Sequence, residues 1–508
     1  MTAELAELTA PVLRSLIRSR EISPVELLQS CIRRIEAVNP YVNAVTATCY
    51  ERAEAEARAA ERALARGEPV GILHGLPMGV KDLEETAGLL TTYGSPLYRG
   101  NVPARDNVLV GRLRAAGAIL VGKTNVPEFG AGANTRNPVW GATGNPFDAR
   151  LNAGGSSGGS AAALACDMLP VCTGSDTGGS LRIPAAKCGV VGMRPSPGLV
   201  PSERRLLGWS PLSVVGPMGR TVAETALQLA ATAGLCDAEP LSQDANPHDF
   251  LDLRGTDLGA LRVGFTEDFG ACEVDEEIRA TFRERIARIS GFFAACEPVD
   301  FAREPLGDVH RCFDVMRAQA FVAAMRGAYE RDPGSIGPNA RANYEIGAAL
   351  SLADTAWAHA EQTRIFRAFQ RLYSRFDVIL APTTPVSPFP WTRPHAEAIN
   401  GRPLPNYYRW LDLTYVVTLA TNPALSLPCG RDRQGLPFGL QVIAPFRRDR
   451  RLLEIGAALE AAFDAHAALR RPRPDLDALR AGTASLRSIV THPPLAAETA
   501  GSAPISVV

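Results

Sequence analysis

Gly154-Gly-Ser-Ser-Gly-Gly-Ser-Ala-Ala-Ala-Leu-Ala-Cys-Asp-Met-Leu-Pro-Val-Cys-Thr-Gly-Ser-Asp-Thr-Gly-Gly-Ser180 sets two Gly/Ser turns on either side of an Ala-rich stretch and a short apolar one. Residues 160–165 read as the start of a buried helix and 169–173 as the strand after it. A Gly/Ser linker would not run straight into such a pair, so both turns belong to one folded unit. Glycines adopt backbone angles closed to other residues, and two such turns can bring hydroxyls and backbone N–H groups to one point. Lys81 ends another short apolar run, 76–81, and offers a basic side chain beside them.

Outward from this core, strands and helices alternate. Residues 106–116 read as a helix stopped by Gly117, and 118–121 as a four-residue apolar strand. Residues 377–381 and 436–443 read as later strands, and 450–465 as a helix. This pattern predicts an α/β sheet with helices on both faces. The first 70 residues read as helices: Leu5, Leu8, Leu13 and Leu16 form an apolar stripe, Ser23-Pro24 is a capping signal, and 52–66 is Ala/Glu/Arg-rich. Residues 236–375 read as mostly helical, with a strand at 261–265, and 382–405 as a proline-rich loop. Because β signals return late, the helical middle reads as an insertion covering the sheet.

The chain has 508 residues, 46% hydrophobic and 21% charged, with 53 Lys and Arg against 54 Asp and Glu. That balance gives no bulk electrostatic argument for nucleic acid or a membrane surface. No apolar run approaches the roughly 20 residues of a membrane helix. Glu4 and Glu7 stand where a secretory signal would be basic and then apolar. Ten cysteines without a CxxC pair read as buried reduced thiols. A cytoplasmic protein without metal or cofactor is the expectation.

Three motifs compete for the same residues. Residues 117–124 satisfy GxxxxGK[ST], but the four intervening residues are Ala-Ile-Leu-Val, which belong in a strand. Pro127 also interrupts the helix a phosphate loop requires. Residues 154–158 satisfy GxSxG, yet a nucleophile elbow needs an apolar strand just before it; 147–153 read as a polar loop, and His359, His395 and His466 lie outside strand ends. The third reading joins Lys81, Ser156 and Ser180.

That third reading resembles the amidase signature family of Ser-Ser-Lys hydrolases. The resemblance is carried by Leu73-His-Gly-Leu-Pro-Met-Gly-Val-Lys-Asp82, Gly122-Lys-Thr-Asn-Val-Pro-Glu-Phe129, the two Gly/Ser turns extended to Pro184, and Cys188-Gly-Val-Val-Gly192. Gly216-Pro-Met-Gly-Arg220, Asn422-Pro-Ala-Leu-Ser-Leu-Pro428 and Gly435-Leu-Pro-Phe-Gly-Leu-Gln441 add to it. It implies a single large domain with a mixed β-sheet core: an N-terminal helical segment (1–70), the signature core (71–235), the variable insertion contributing to the substrate pocket (236–375), a return to the sheet with a C-terminal helix (376–470), and a partly disordered tail (471–508).

By the same resemblance Ser180 is the acyl-forming nucleophile, Ser156 the bridging serine after a cis peptide bond, and Lys81 the base. The N–H groups of Thr177, Gly178, Gly179 and Ser180 form the oxyanion hole, with Ser157, Asp176 and Arg182 in support; Asp176 and Arg182 read as a buried pair holding the loop. Gly130, Gly132 and Asn134 line the pocket, and Trp209, Phe389, Trp391 and Tyr408 are candidates for apolar walls. The implied activity is hydrolysis of small carboxylic amides, with aryl amides, carbamates and esters in the same chemical range. The implied partners are a small-molecule substrate and a second copy of the chain as a homodimer.

The chemistry explains the residue types. A serine hydroxyl needs a neighbouring base. Lysine serves only when neutral, so its value of about 10.4 must drop towards neutrality, which burial accomplishes by penalising the charged form. Asp82 is adjacent, but in an extended strand it points to the opposite face. Three departures from the family pattern stand out: Ala153 where Pro is common, Met193-Arg194-Pro195 in place of Leu-Lys-Pro, and no Tyr-Gly-Arg-Val segment of the kind typical of glutamyl-tRNA amidating subunits. The missing segment weighs against a glutaminase-type subunit of a tRNA-dependent amidotransferase, which stands as the enzymatic alternative. A GxSxG esterase and an inactive binding homologue are the others.

Overall fold

The computed structural model describes residues 4–482 and 484–495. Within them the chain builds one eleven-stranded sheet. Its strands in chain order are β1 (Val45–Thr48), β2 (Pro77–Lys81), β3 (Ile119–Thr124), β4 (Val171–Asp176), β5 (Val191–Arg194), β6 (Val214–Gly219), β7 (Arg262–Phe265), β8 (Ala295–Pro298), β9 (Val378–Pro382), β10 (Ala424–Arg431) and β11 (Pro437–Ile443). Side by side they run β1-β3-β2-β4-β6-β5-β10-β11-β9-β7-β8. β2 is parallel to β3 and β4, and β7 is parallel to β8 and β9. The remaining pairs are antiparallel. This is the mixed α/β core that the alternation and the family resemblance predict.

Helices cover both faces. Pro24–Val42, Gly158–Ala165 and Arg182–Cys188 pack together on one side, and Val222–Thr232 with Asp449–Asp464 on the other. The central strands are therefore buried along almost their whole length and do not alternate between buried and exposed positions. Ser23 caps the helix Pro24–Val42 in a reciprocal box with Glu26. The start of helix Gly158–Ala165 presses against the end of β3: a Cβ on Gly159 would lie 2.2 Å from the Asn125 amide nitrogen. Only glycine fits there.

Several elements differ from expectation. The predicted strand at 118–121 extends to Thr124 and carries Lys123 inside it, which removes the phosphate-loop reading. The first 70 residues also contain β1, one of the sheet's two edge strands, and the helix Ala10–Arg18 buries Ala10, Leu13 and Ile17. The middle segment holds the expected strand as β7 and adds an unexpected one, β8, at the far edge. After 470, the helix Leu476–Ala481 is followed by Leu486, buried with Ala142 and Trp391. The part of the tail expectation that concerns 496–508 lies outside the described residues. Among the described residues no helix is long and apolar enough to cross a membrane.

Candidate active site

β2 and β4 run parallel as neighbours, so Lys81 and the Ser175-Asp176 pair sit at the same carboxyl edge of the sheet. The Lys81 amide ties the strands by donating to Thr173 Oγ1 at 2.8 Å. Between them rises the first Gly/Ser turn, with a cis peptide between Gly155 and Ser156. Lys81 is fully buried. Its Nζ donates to Ser156 Oγ at 2.7 Å, Ser157 Oγ at 2.8 Å and Ser175 Oγ at 2.9 Å. All three partners are hydroxyls. Burial pushes the amine down to about 7, against the weaker opposing pull of Glu84 and Asp176.

Asp82 does face away. It accepts from the Thr92 amide at 2.9 Å and from the Thr92 hydroxyl. Burial raises it to about 6, opposed by Lys123 and the bonds from Thr92 and Trp140. Lys123 donates to the Glu84 carbonyl and to Thr86 Oγ1. A second buried lysine and acid thus sit behind β2, while Lys81 keeps the hydroxyl side.

The second turn, after β4, is built on an ion pair. Arg182 grips Asp176 with Nε on Oδ2 at 3.0 Å and Nη2 on Oδ1 at 2.9 Å, both residues fully buried. Its other N–H groups reach the Thr414 carbonyl, Gln441 Oε1 and Thr418 Oγ1. Burial alone would raise the Asp176 carboxyl, but the charges of Arg182 and Arg194 and their hydrogen bonds hold it at about 2. Arg194, standing where the family more often has Lys, also donates to the Asp176 carbonyl at 2.7 Å. The Ser157 amide donates to the Ser180 carbonyl at 3.3 Å, drawing the two turns together. Ser180 itself stays partly accessible.

Two expectations need correction. The Gly179 N–H, expected in the oxyanion hole, already donates to Asp176 Oδ1 at 2.8 Å. Its φ of +118° and a Cβ position only 2.2 Å from Thr414 Oγ1 explain why glycine stands there. The amides of Thr177, Gly178 and Ser180 have no acceptor among the described residues. Asn134, expected in the pocket, spends both amide hydrogens on the Trp391 and Arg393 carbonyls, at 3.0 and 2.7 Å. It anchors the proline-rich loop.

A Cβ on Gly130 would come 3.4 Å from Ser156 Oγ. Gly132 faces Asn339 Nδ2, 3.2 Å from its Cβ position. Trp209 is 78% exposed, Trp391 packs with Ala142 and Leu486, and Tyr408 is buried beside Phe313. Phe389 stacks edge-on with Trp410. Sequence reasoning missed Ser175, whose side chain the strand alternation turns toward Lys81 once Asp176 turns toward Arg182. It also missed Phe313, whose ring end lies 2.9 Å from the Gly178 Cβ position.

Among the described residues no hydrogen bond links a histidine to Lys81, Ser156 or Ser180. His74 bonds the Ala60 carbonyl, His310 bonds the Tyr415 hydroxyl and the Ala271 carbonyl, and His466 stacks on Phe292. The segment before Gly154 is one arm of a two-stranded ribbon, Gly144–Asn145 with Asp148–Asn152, outside the main sheet. An elbow would need a core strand there.

The family model described as Amidase matches residues 26–453. The A subunit of the glutamyl-tRNA(Gln) amidotransferase from Acaryochloris marina is 35% identical over 473 residues, 89% of this chain and 97% of that protein. A bacterial aryl acylamidase of the amidase signature family superposes with a TM-score of 0.85 at 29% identity, over 94% of this chain and 99% of that one. The A subunit of the glutamyl-tRNA(Gln) amidotransferase from Thermotoga maritima gives 0.69 at 25% identity, over 94% and 99%.

Proposed function

Since the chain belongs to the amidase signature family and is a hydrolase of carbon–nitrogen bonds, we propose that it acts on small carboxylic amides through an acyl-Ser180 intermediate. The observation that carries this reading is Lys81: a buried amine held near neutrality and bonded only to hydroxyls.

In this mechanism Ser180 Oγ attacks the amide carbonyl while its proton passes to Ser156 Oγ, and the Ser156 proton passes to the neutral Lys81 amine. Ser157 and Ser175 hold that amine in place. The developing oxyanion takes hydrogen bonds from the Thr177, Gly178 and Ser180 amides, each such donor worth on the order of 3 kcal/mol in the barrier. Collapse breaks the C–N bond. The departing nitrogen takes the proton back through Ser156, leaving acyl-Ser180, and water then enters by the same proton path to release the acid. The Asp176–Arg182 pair holds the loop that carries these amides.

A fluorophosphonate tests the assignment. It should attach to Ser180, and Lys81→Ala should abolish both labelling and amide turnover. Labelling of another serine, or a dead histidine variant beside an active Lys81→Ala, would reject it.

The second reading is an amidotransferase component releasing ammonia from glutamine, favoured by the 35% identity to the Acaryochloris marina protein. Against it stand the higher structural similarity to an aryl acylamidase and the missing Tyr-Gly-Arg-Val segment. Glutaminase activity that appears only with two co-purifying subunits would establish that reading.

A further inference from the structure

The helix Val309–Arg331 meets the oxyanion loop at Phe313 and carries a guanidinium, Arg317, that forms no ion pair among the described residues. Phe313 touches Gly178, and one turn further along the same helix Arg317 is 4% exposed. Its guanidinium carbon lies 5.9 Å from the Phe313 ring, 5.0 Å from Phe321, 5.1 Å from Tyr408 and 5.7 Å from Tyr407. Nε donates to Asn343 Oδ1 at 3.1 Å and Nη2 to the Tyr407 hydroxyl at 2.8 Å. Nη1 donates to no group among the described residues. The nearest acid on the helix, Asp314, is already paired with Arg409 at 2.8 Å.

The hydroxyl beside it is poised the same way. Tyr407 Oη accepts from Arg317 and also from Asn343 Nδ2 at 2.5 Å. A hydroxyl that accepts two N–H bonds has its own hydrogen left to donate. Arg317 and Tyr407 therefore offer only donors, inside aromatic walls, one helical turn beyond Phe313, which touches the loop that carries Ser180. A buried cation without a counter-ion is an expensive arrangement that a bound anion relieves.

We propose that Arg317 and Tyr407 form the receptor for a carboxylate at the far end of the acyl group, so that the preferred substrates are amides of dicarboxylic acids with one free acid. Asn343 positions both donors. The planar guanidinium fork suits a carboxylate, and the aromatic rings accommodate the methylenes between the two carbonyl carbons. This inference rests on the amide-hydrolase reading and names its substrate class.

The test follows 4-nitroaniline release from the mono-4-nitroanilides of succinic, glutaric and adipic acid, each beside the uncharged 4-nitroanilide of the matching monocarboxylic acid. The intact enzyme should favour one charged anilide over its neutral counterpart by at least 20-fold in kcat/KM. The corresponding free dicarboxylate should inhibit competitively. Arg317→Met should collapse that ratio toward one, and Arg317→Lys should restore part of it, which a merely structural arginine would not do. A ratio near one in the intact enzyme, or one that survives Arg317→Met, overturns the receptor. If no anilide is cleaved while a fluorophosphonate still labels Ser180, the substrate class alone fails. If Ser180 is also unlabelled, the hydrolase reading fails and takes this inference with it.

Discussion

A lysine becomes a base only where water and carboxylates are kept from it, and Lys81 meets both conditions. Its value of about 7 comes chiefly from burial, with Glu84 and Asp176 too weakly placed to restore the ordinary lysine range. The activity should therefore rise with pH through about 7, as the amine loses its proton, and vanish below about pH 5. Lys187 is a second buried amine pushed down to about 7 by burial, so the limb alone does not identify its owner. Lys187 lies 4.7 Å from the Phe389 and Trp410 rings, away from the three hydroxyls around Lys81. The acid limb should persist in Lys187→Met; its disappearance there would assign the titration to the wrong lysine. Lys81, Ser156 and Ser157, which hydrogen bonds join, and the proposed nucleophile Ser180 were legible because each lies in a dense motif whose residue types the proposed chemistry requires. It concealed the commitment of the Gly179 amide, because the direction of one N–H depends on where the Asp176 carboxylate folds back. Asn134 misled for a related reason: its partners lie more than 250 residues away, in a loop with no motif.

At the level of elements, the site depends on the passage from β4 into helix Arg182–Cys188. Asp176 ends the strand, Arg182 begins the helix, and the turn between them carries the free amides and Ser180. Removing one member of a buried pair costs about 3–5 kcal/mol, since the other charge is left without compensation. Arg182→Met should therefore lower the unfolding free energy by that order, seen as a lower denaturation midpoint, and reduce kcat on the order of 10²-fold through a displaced turn. Denaturant unfolding and steady-state kinetics read the two effects, and an unchanged midpoint would contradict this account. The pH dependence of the pair has a definite sign. Asp176 is held near 2, below its unfolded value of about 3.9, so its contribution is complete above about pH 4 and is lost as pH falls toward 2. The Asp176–Arg182 pairing is legible from two opposite charges flanking the serine turn. The role of Arg194 is not, because position 194 reads only as a departure from the family's lysine, with nothing in the local pattern to say that it reaches Asp176.

At the scale of the whole molecule, the strands most visible in the sequence are those buried on both faces, such as Val378–Pro382 and Pro437–Ile443, where apolar runs leave no other reading. The least visible are the four-residue strands β1 and β8 at the sheet's two edges, which are half polar and take their conformation from a single neighbour. What binds the first residues to this sheet is a buried charge cluster centred on Arg220. Its guanidinium donates to the Ala6 carbonyl and Asp167 Oδ1, at 2.8 and 2.7 Å, and to the Leu8 carbonyl and Glu224 Oε1. Glu224 in turn accepts the Ala10 amide at 2.9 Å. One arginine thus joins the N-terminal segment, the end of helix Gly158–Ala165 and the start of helix Val222–Thr232. Arg220→Met should destabilise the protein by about 3–5 kcal/mol, because two acids remain buried without their cation. The double variant Arg220→Met, Glu224→Met should recover part of that loss by removing one of them. Since none of these groups touches Lys81, the acid limb of the activity should keep its midpoint near 7 in the folded variant. A single variant as stable as the parent in urea, or a double variant no better than the single, would show that the N-terminal segment is held by its apolar face alone.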